Sequence, residues 1–466
     1  MQNFTDGNTI VCGIIGNPVR HTMSPLIHNS FSEMLGINLV YVPFEVPADG
    51  LKAAVRGAYE LGRKGMNVTV PYKSDVLEYL KYTDPLAESI GAVNTLVRDE
   101  ALKGYRGYNT DMTGLYRAMQ EEGIELENET VVILGAGGVA RPTAHLCINK
   151  GARKVYILNR TPEKAEAICA ELEDDRVVAM DITNYHEILL REKSFFAIQC
   201  TSVGLFPDVN SAVIEDSEFY SHISVAYDMV YRPIETKFMK LAKEAGAAAF
   251  SGLRMLLYQG IDAFELWFEE KMDEKVSKEQ ADEIFRSLVF EVSGASNIIL
   301  EGFMGSGKST VSEILADKLG LELLDTDAAI VEAEGRSIAD IFDKDGEEAF
   351  RDMETGLLET AVYEHFREMV ISLGGGMPLR AANRELLKKL GKVVYLRTSP
   401  ETVYERVKGD NARPLLRGDD PLGKIKSMQL ERGEKYEAAA DVIIDTDDVT
   451  PMEIADKIIE LLGLSF

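Results

Sequence analysis

The sequence has no run approaching about 18 consecutive apolar residues, so no segment reads as a membrane-spanning helix. Its first residues, Met1 to Asp6, lack the basic stretch and apolar run of an export signal, and the expected location is the cytoplasm. Cysteine is scarce. Cys12, Cys147, Cys169 and Cys200 form no CxxC pair and no Cys/His group at zinc-ligand spacing, which argues against a disulfide framework or structural zinc and leaves free buried thiols. Positive charge is also in deficit: 50 Lys and Arg face 77 Asp and Glu, a net charge of −27 that repels nucleic acid and anionic lipid surfaces. No nucleic-acid or membrane partner is expected. Apolar residues are plentiful at 45 %, enough to build cores in roughly two to four domains.

Short apolar runs alternate with amphipathic stretches throughout, as in Val11–Ile15, Thr130–Leu134, Lys154–Leu158, Asn297–Leu300 and Lys392–Leu396. That rhythm predicts α/β layers on largely parallel sheets. Ser293-Gly-Ala-Ser296 separates a charged stretch and its short apolar tail from a fresh strand, so residues 293–296 read as a linker between portions 1–292 and 297–466.

In the second portion, Gly302-Phe-Met-Gly305-Ser306-Gly307-Lys308-Ser309 fits GxxxxGK[ST] between a strand and a helix carrying Val311, Ile314, Leu315 and Leu319. Such glycines let backbone N–H groups turn toward phosphate oxygens, while Lys308 reaches the terminal phosphates and Ser309 can ligate Mg²⁺. Asp325-Thr-Asp327 follows an apolar run, and alternate side chains on one side of a strand's end would let one carboxylate hold the metal and the other grip a hydroxyl. Phe350-Arg351-Asp-Met-Glu354 sets a carboxylate three residues from a guanidinium, which it can steady for a bidentate grip on a substrate carboxylate. Gly374-Gly375-Gly376 lets backbone approach a small ligand closely. Asn411 to Leu416 reads as a lid bearing Arg413, and Glu431-Arg432-Gly-Glu-Lys-Tyr436 completes the series.

In that order, GxMGxGKS, DTD, FRxxE, GGG, RPLL and ERxxxY resemble shikimate kinase across residues 297–466. The resemblance implies a P-loop NTPase-type parallel α/β domain that phosphorylates the carbon-3 hydroxyl of shikimate with Mg-ATP. It places Gly305, Ser306, Gly307, Lys308, Ser309, Thr310, Arg406 and Arg413 at ATP, with Ser309 and Asp325 at the metal and its waters. Asp327, Arg351, Gly374, Gly375, Gly376 and Arg432 would then hold shikimate, and Lys308 and Arg413 would be the catalytic cations.

In the first portion, the strand Thr130–Leu134 leads into Gly135-Ala136-Gly137-Gly138-Val139-Ala140, a GxGxxA turn opening a helix, the form of a dinucleotide site. The next strand ends Leu158-Asn159-Arg160-Thr161, where NAD sites usually carry an acid; Arg160 and Lys164 can instead receive the extra phosphate of NADP. Upstream, Thr22 and Ser24 offer two hydroxyls after a strand, Asn67, Thr69 and Lys73 follow in one run, and Asn94 with Asn109-Thr-Asp111 adds amides and an acid.

With Cys200–Gly204, Tyr227–Tyr231 and Gly252–Gln259, these residues resemble shikimate dehydrogenase over residues 8–290. The resemblance implies reversible hydride transfer between NADPH and the ketone of 3-dehydroshikimate, with Lys73 and Asp111 as the catalytic pair. An ammonium supplies both the charge and the proton that a developing alkoxide needs. Thr22, Ser24, Asn67, Thr69, Asn94, Tyr231 and Gln259 would hold the substrate, and Gly135 to Ala140, Asn159, Arg160, Thr161, Lys164, Met229 and Gly252 the NADP. The expected layout is a substrate subdomain, 1–112 and 252–292, around a Rossmann NADP subdomain, 113–251.

The chain therefore reads as a bifunctional enzyme that makes shikimate and then phosphorylates it, two steps toward chorismate and the aromatic amino acids. Its cofactors would be NADP(H), ATP and Mg²⁺. Thr22, where many relatives carry Ser, leaves quinate open as a second substrate. A quinate-type dehydrogenase fused to a related small-molecule kinase, or one portion acting as a shikimate sensor, stays open at this point, as does the oligomeric state, a homodimer included.

Overall fold

The computed structural model describes residues 5–269, 275–408 and 420–464, and the chain divides into two compact units, Met1–Leu288 and Val289–Phe466. The division falls inside the helix Lys278–Ser293, a few residues before 293–296. Those small residues form the helix's capping turn: Gly294 takes a φ of +70° and its N–H reaches the Glu291 carbonyl, while the Ser293 hydroxyl donates to the Phe290 carbonyl.

The first unit holds two sheets. One contains β1 (Ile10–Gly16), β2 (Leu39–Glu45), β3 (Gly65–Val68), β4 (Tyr82–Thr83), β5 (Thr95–Asp99) and β6 (Gly104–Tyr108) in the order β2-β1-β3-β5-β6-β4. Strands β1 to β3 run parallel, whereas β5 pairs antiparallel with both β3 and β6. The other contains β7 (Thr130–Leu134), β8 (Lys154–Asn159), β9 (Val177–Asp181), β10 (Phe195–Gln199), β11 (Ile223–Asp228) and β12 (Ala248–Ser251), all parallel, in the order β12-β11-β10-β7-β8-β9. Strand β7 is buried along its whole length because its alternating side chains serve two cores, Val131 and Ile133 on one face and Val132 and Leu134 on the other. The strand order reverses between β7 and β10, which opens a crevice at their carboxyl ends.

The chain passes between these sheets along two helices that pack against each other, Thr110–Glu121 and Leu253–Phe268. Gly114 makes their approach close: a Cβ there would lie 2.4 Å from the backbone nitrogen of Gln259. Gly65 does the same for the second helix and β3, since its Cβ would lie 2.1 Å from Nε1 of Trp267, which donates to the Leu96 carbonyl at 3.0 Å. His28, on the helix Ser24–Met34, is wholly buried and stacks on Tyr41 with ring centres 4.3 Å apart, with Trp267 at 4.8 Å.

The second unit is built on β13 (Ile298–Glu301), β14 (Glu322–Asp325), β15 (Met369–Ser372), β16 (Lys392–Arg397) and β17 (Val442–Asp445), all parallel, in the order β14-β15-β13-β16-β17. Central β13 feeds the phosphate loop. Ile299, Ile371 and Val393 bury one face of the sheet against the helices Glu347–Tyr363 and Ala381–Leu390.

Burial pushes the His28 imidazole down to about 3. Between that value and the ordinary histidine range near 6.5, the unfolded chain binds a proton that the folded chain refuses, so stability falls as pH drops through this window. His28→Phe keeps a ring in the stack and removes the linkage. Urea unfolding followed by Trp267 fluorescence between pH 4.5 and 6.5 is expected to show a slope shallower by up to about 1.4 kcal/mol per pH unit. An unchanged slope would contradict the assignment.

Candidate functional site

A cavity of about 370 Å³ in the first unit brings together Thr22, Ser24, Asn67, Thr69, Lys73, Asn94, Asp111, Tyr231 and Gln259 with Val139, Met229 and Gly252. Thr22 and Ser24 stand at the start of the helix Ser24–Met34, where the Thr22 hydroxyl donates to Ser24 Oγ at 3.1 Å and receives the Ser24 N–H at 3.2 Å. Asn109 caps the helix Thr110–Glu121 by accepting the Met112 N–H, so Asp111 is spared that task and faces the cavity. Lys73 Nζ donates to Asp111 Oδ2 at 2.6 Å, and the pair is 29 % and 15 % exposed, open enough for a substrate and dry enough for strong electrostatics. Asn94 Nδ2 donates to the other oxygen of Asp111 at 2.9 Å, while its own oxygen receives the Thr110 N–H at 2.7 Å. Asn67 accepts from the Tyr41 hydroxyl at 2.7 Å and donates to the Asn94 carbonyl and Thr95 Oγ1.

Across the cavity, Gly252 lies against Met229, whose carbonyl would stand 2.5 Å from an added Cβ. Beside them, the Gly135–Ala140 turn opens the helix Ala140–Asn149. Gly135 has a φ of +105°, and a Cβ there would strike Thr201 at 2.6 Å. Its N–H bonds the Leu158 carbonyl at 2.7 Å, which sets the turn beside the end of β8 and the stretch Asn159, Arg160, Thr161. Arg160 and Lys164 are exposed there and form no ion pair among the described residues. Glycines that bring backbone close, a helix N-terminus and unpaired cations fit a phosphorylated dinucleotide.

Asp228 is a residue that sequence reasoning passed over, although it lies within the Tyr227–Tyr231 stretch. It is wholly buried, accepts from the Val230 N–H at 2.9 Å, Thr236 Oγ1 at 2.6 Å and Gln199 Nε2 at 3.3 Å, and burial raises its carboxyl to about 7. Gln199 in turn accepts the N–H and hydroxyl of Thr201, both at 2.6 Å.

In the second unit, Gly302, Gly305 and Gly307 take φ values of +152°, +74° and +94°, the backbone of a phosphate loop, and Lys308 Nζ donates to the Gly302 carbonyl at 2.8 Å. Ser306 is buried within the loop, and Ser309 and Thr310 are exposed in the first turn of the helix Lys308–Leu319. Arg406 clasps the loop from outside, donating to the carbonyls of Gly305 and Thr446, both at 3.2 Å. Asp325 and Asp327 do not share a strand: Asp325 ends β14 and caps the helix Thr326–Glu334, its Oδ1 accepting the N–H groups of Asp327 and Ala328 at 3.0 Å. Capping wins because Asp satisfies otherwise unbonded helix N–H groups. The Asp325 carboxylate and the exposed Ser309 hydroxyl are hard oxygen donors of the kind Mg²⁺ takes. Asp327 has a buried Oδ1 with no hydrogen-bond partner among the described residues, and burial, then Asp325, raises its carboxyl.

The triple glycine has a physical reason that spacing did not show. A Cβ on Gly374 would meet Asp327 Oδ1 at 2.2 Å, one on Gly376 would meet Arg351 Nη1 at 2.0 Å, and the Gly375 carbonyl accepts the Tyr436 hydroxyl at 2.5 Å. Glu354, wholly buried, holds Arg351 through both carboxylate oxygens at 3.0 and 2.9 Å. Arg432 sits one turn before Tyr436 on the helix Pro421–Ala439, its guanidinium 5.9 Å from the Phe303 ring centre. Arg413 lies outside the described residues.

Comparison with known proteins finds relatives for both units. Family models match in sequence order: shikimate dehydrogenase substrate binding domain at residues 14–96, shikimate/quinate 5-dehydrogenase at 117–204, shikimate 5'-dehydrogenase C-terminal domain at 252–281 and shikimate kinase at 304–463. The shikimate dehydrogenase (NADP(+)) of Methanothermobacter thermautotrophicus is 43 % identical over 262 residues, 56 % of this chain and 92 % of that protein. A chorismate mutase/shikimate 5-dehydrogenase fusion protein from Clostridium acetobutylicum is similar in structure, with 34 % identity and a TM-score of 0.55 over 61 % of this chain and 99 % of that one. Shikimate 5-dehydrogenase from Thermus thermophilus, solved with NADP(H) and shikimate, is 30 % identical with a TM-score of 0.51 over 60 % of this chain and all of that one, 100 %. The chain belongs to the shikimate dehydrogenase family through its first unit and carries a shikimate kinase domain in its second.

Proposed function

We propose that the first unit reduces 3-dehydroshikimate reversibly to shikimate with NADPH, and that the second phosphorylates shikimate to shikimate 3-phosphate with Mg-ATP. The Lys73–Asp111 pair, facing one cavity with both the polar substrate residues and the cofactor-side wall, carries the first assignment. NADPH, when bound, supplies the hydride. Lys73 neutralises the charge growing on the ketone oxygen and gives it a proton, while Asp111, fixed by Asn94, keeps the ammonium in place. Thr22 and Ser24 offer paired hydroxyls to the substrate carboxylate, and Arg160 and Lys164 receive the ribose phosphate that distinguishes NADP.

In the second unit, the loop N–H groups and Lys308 hold the phosphates, and Ser309 and Asp325 hold Mg²⁺. The unpartnered oxygen of Asp327 accepts the substrate hydroxyl, while Arg351 and Arg432 take its carboxylate. Phosphoryl transfer asks for positioning and charge neutralisation, which these residues provide. The demand for NADPH and ATP supports a cytoplasmic site of action, and no helix among the described residues is long and apolar enough to cross a membrane.

One coupled assay tests the whole reading: 3-dehydroshikimate with NADPH, ATP and Mg²⁺ yields shikimate 3-phosphate, and rates with shikimate plus NADP exceed those with quinate plus NAD. Lys73→Ala lowers 3-dehydroshikimate reduction by about 10²- to 10⁴-fold and spares the kinase, whereas Lys308→Ala does the reverse. Loss of both activities from either change in a folded chain would refute two independent sites. Gly376→Ala displaces the Arg351 guanidinium and raises the kinase KM for shikimate about tenfold or more, with little change in the KM for ATP. An equal rise in both constants would show that Arg351 does not read the substrate.

A further inference from the structure

Glu301 ends β13 and immediately precedes Gly302 of the phosphate loop. Strand alternation sets its side chain on the face of Ile299, toward the helices Ala381–Leu390 and Pro421–Ala439. The residue is wholly buried, and neither carboxyl oxygen has a hydrogen-bond or ion-pair partner among the described residues. Among the described residues, the titratable or charged groups that face it from the surrounding elements are Lys308 from the loop's helix, Arg384 from the helix Ala381–Leu390, Tyr395 from β16 and Tyr436 from the helix Pro421–Ala439. A bare carboxylate in so dry a place is costly, and the group holds a proton instead. Burial pushes it up to about 8, with Lys308 and then Arg384 opposing.

We propose that Glu301 is a positioning residue that couples nucleotide binding in the second unit to uptake of one proton from solvent. When ionised, Glu301 competes with the incoming phosphates for the field of Lys308. When protonated, it withdraws that competition. Bound phosphates bring negative charge toward Lys308 and so favour the protonated form further. The bound-state pKa lies above the free one, so affinity is full at pH values below about 8 and falls as pH rises through it. This inference rests on the phosphate loop binding ATP, as argued above.

Calorimetric titration of the full chain with Mg-ATP, without shikimate, in HEPES and in Tris counts the protons. At pH 8 the wild type is expected to take up about half a proton, at pH 7 about a tenth, and its affinity falls about tenfold from pH 7 to pH 9. In Glu301→Gln the pH 8 uptake disappears and the affinity ratio between pH 7 and pH 9 shrinks toward one. Uptake retained in the variant would transfer the effect to another group, such as Asp327, and overturn the proposal. The wild-type profile alone decides the matter if the variant is unstable: binding with no uptake at pH 8 overturns the proposal while leaving the ATP site intact. Failure of Mg-ATP to bind at all refutes the phosphate-loop reading, and the inference with it.

Discussion

Lys73 and Asp111 come from a turn after β3 and from the first turn of a helix, and they can meet half-buried only because each oxygen of the carboxylate is answered: Oδ2 by Lys73 and Oδ1 by Asn94. A buried charge left with an open valence would neutralise itself or draw in water. The requirement propagates. Asn94 is oriented by the Thr110 N–H, Thr95 links it to Asn67, Asn67 is held by the Tyr41 hydroxyl, and Tyr41 stacks on His28 beneath Trp267. A buried polar chain thus supports one ion pair, and it ends in an aromatic stack where both His28 ring nitrogens are buried without a hydrogen-bond partner among the described residues.

The second unit reaches convergence by a different route. Two charges proposed to meet the substrate, Asp327 and Arg351, press against backbone where side chains are missing, at Gly374 and Gly376. Removing Cβ atoms brings a carboxylate and a guanidinium close to the same loop without any hydrogen bond between them. The buried Glu354 then holds the guanidinium by accepting from Nη1 with both oxygens, so rigidity comes from a charged partner on the same helix and closeness from glycine.

The motif residues were legible because their chemistry depends on short sequence spacing: the phosphate loop, the GxGxxA turn and the Arg351–Glu354 pair each sit within one turn or helix. The parallel sheets were legible from apolar rhythm. Asp325 does end its strand, but Asp327 was misplaced beside it, because spacing alone did not show that the helix begins at Thr326 with Asp325 as its cap. Tyr41, Asp228 and Glu301 were not identified from sequence. Tyr41 meets Asn67 across 26 positions and Asp228 meets Gln199 across 29, distances at which no local pattern survives. Glu301 differs from an ordinary strand residue only in what surrounds it after folding.

Asp228 and Gln199 fasten the loop beginning at Thr201 and the loop carrying Met229 to Tyr231 into a single piece of scaffolding. Arg160 and Lys164 hang from the opposite side of β7, at the tip of β8, and take no part in it. Under the proposed assignment, choice between the two nicotinamide currencies and alignment of the reacting ring are therefore separable traits, open to independent change in evolution or by design.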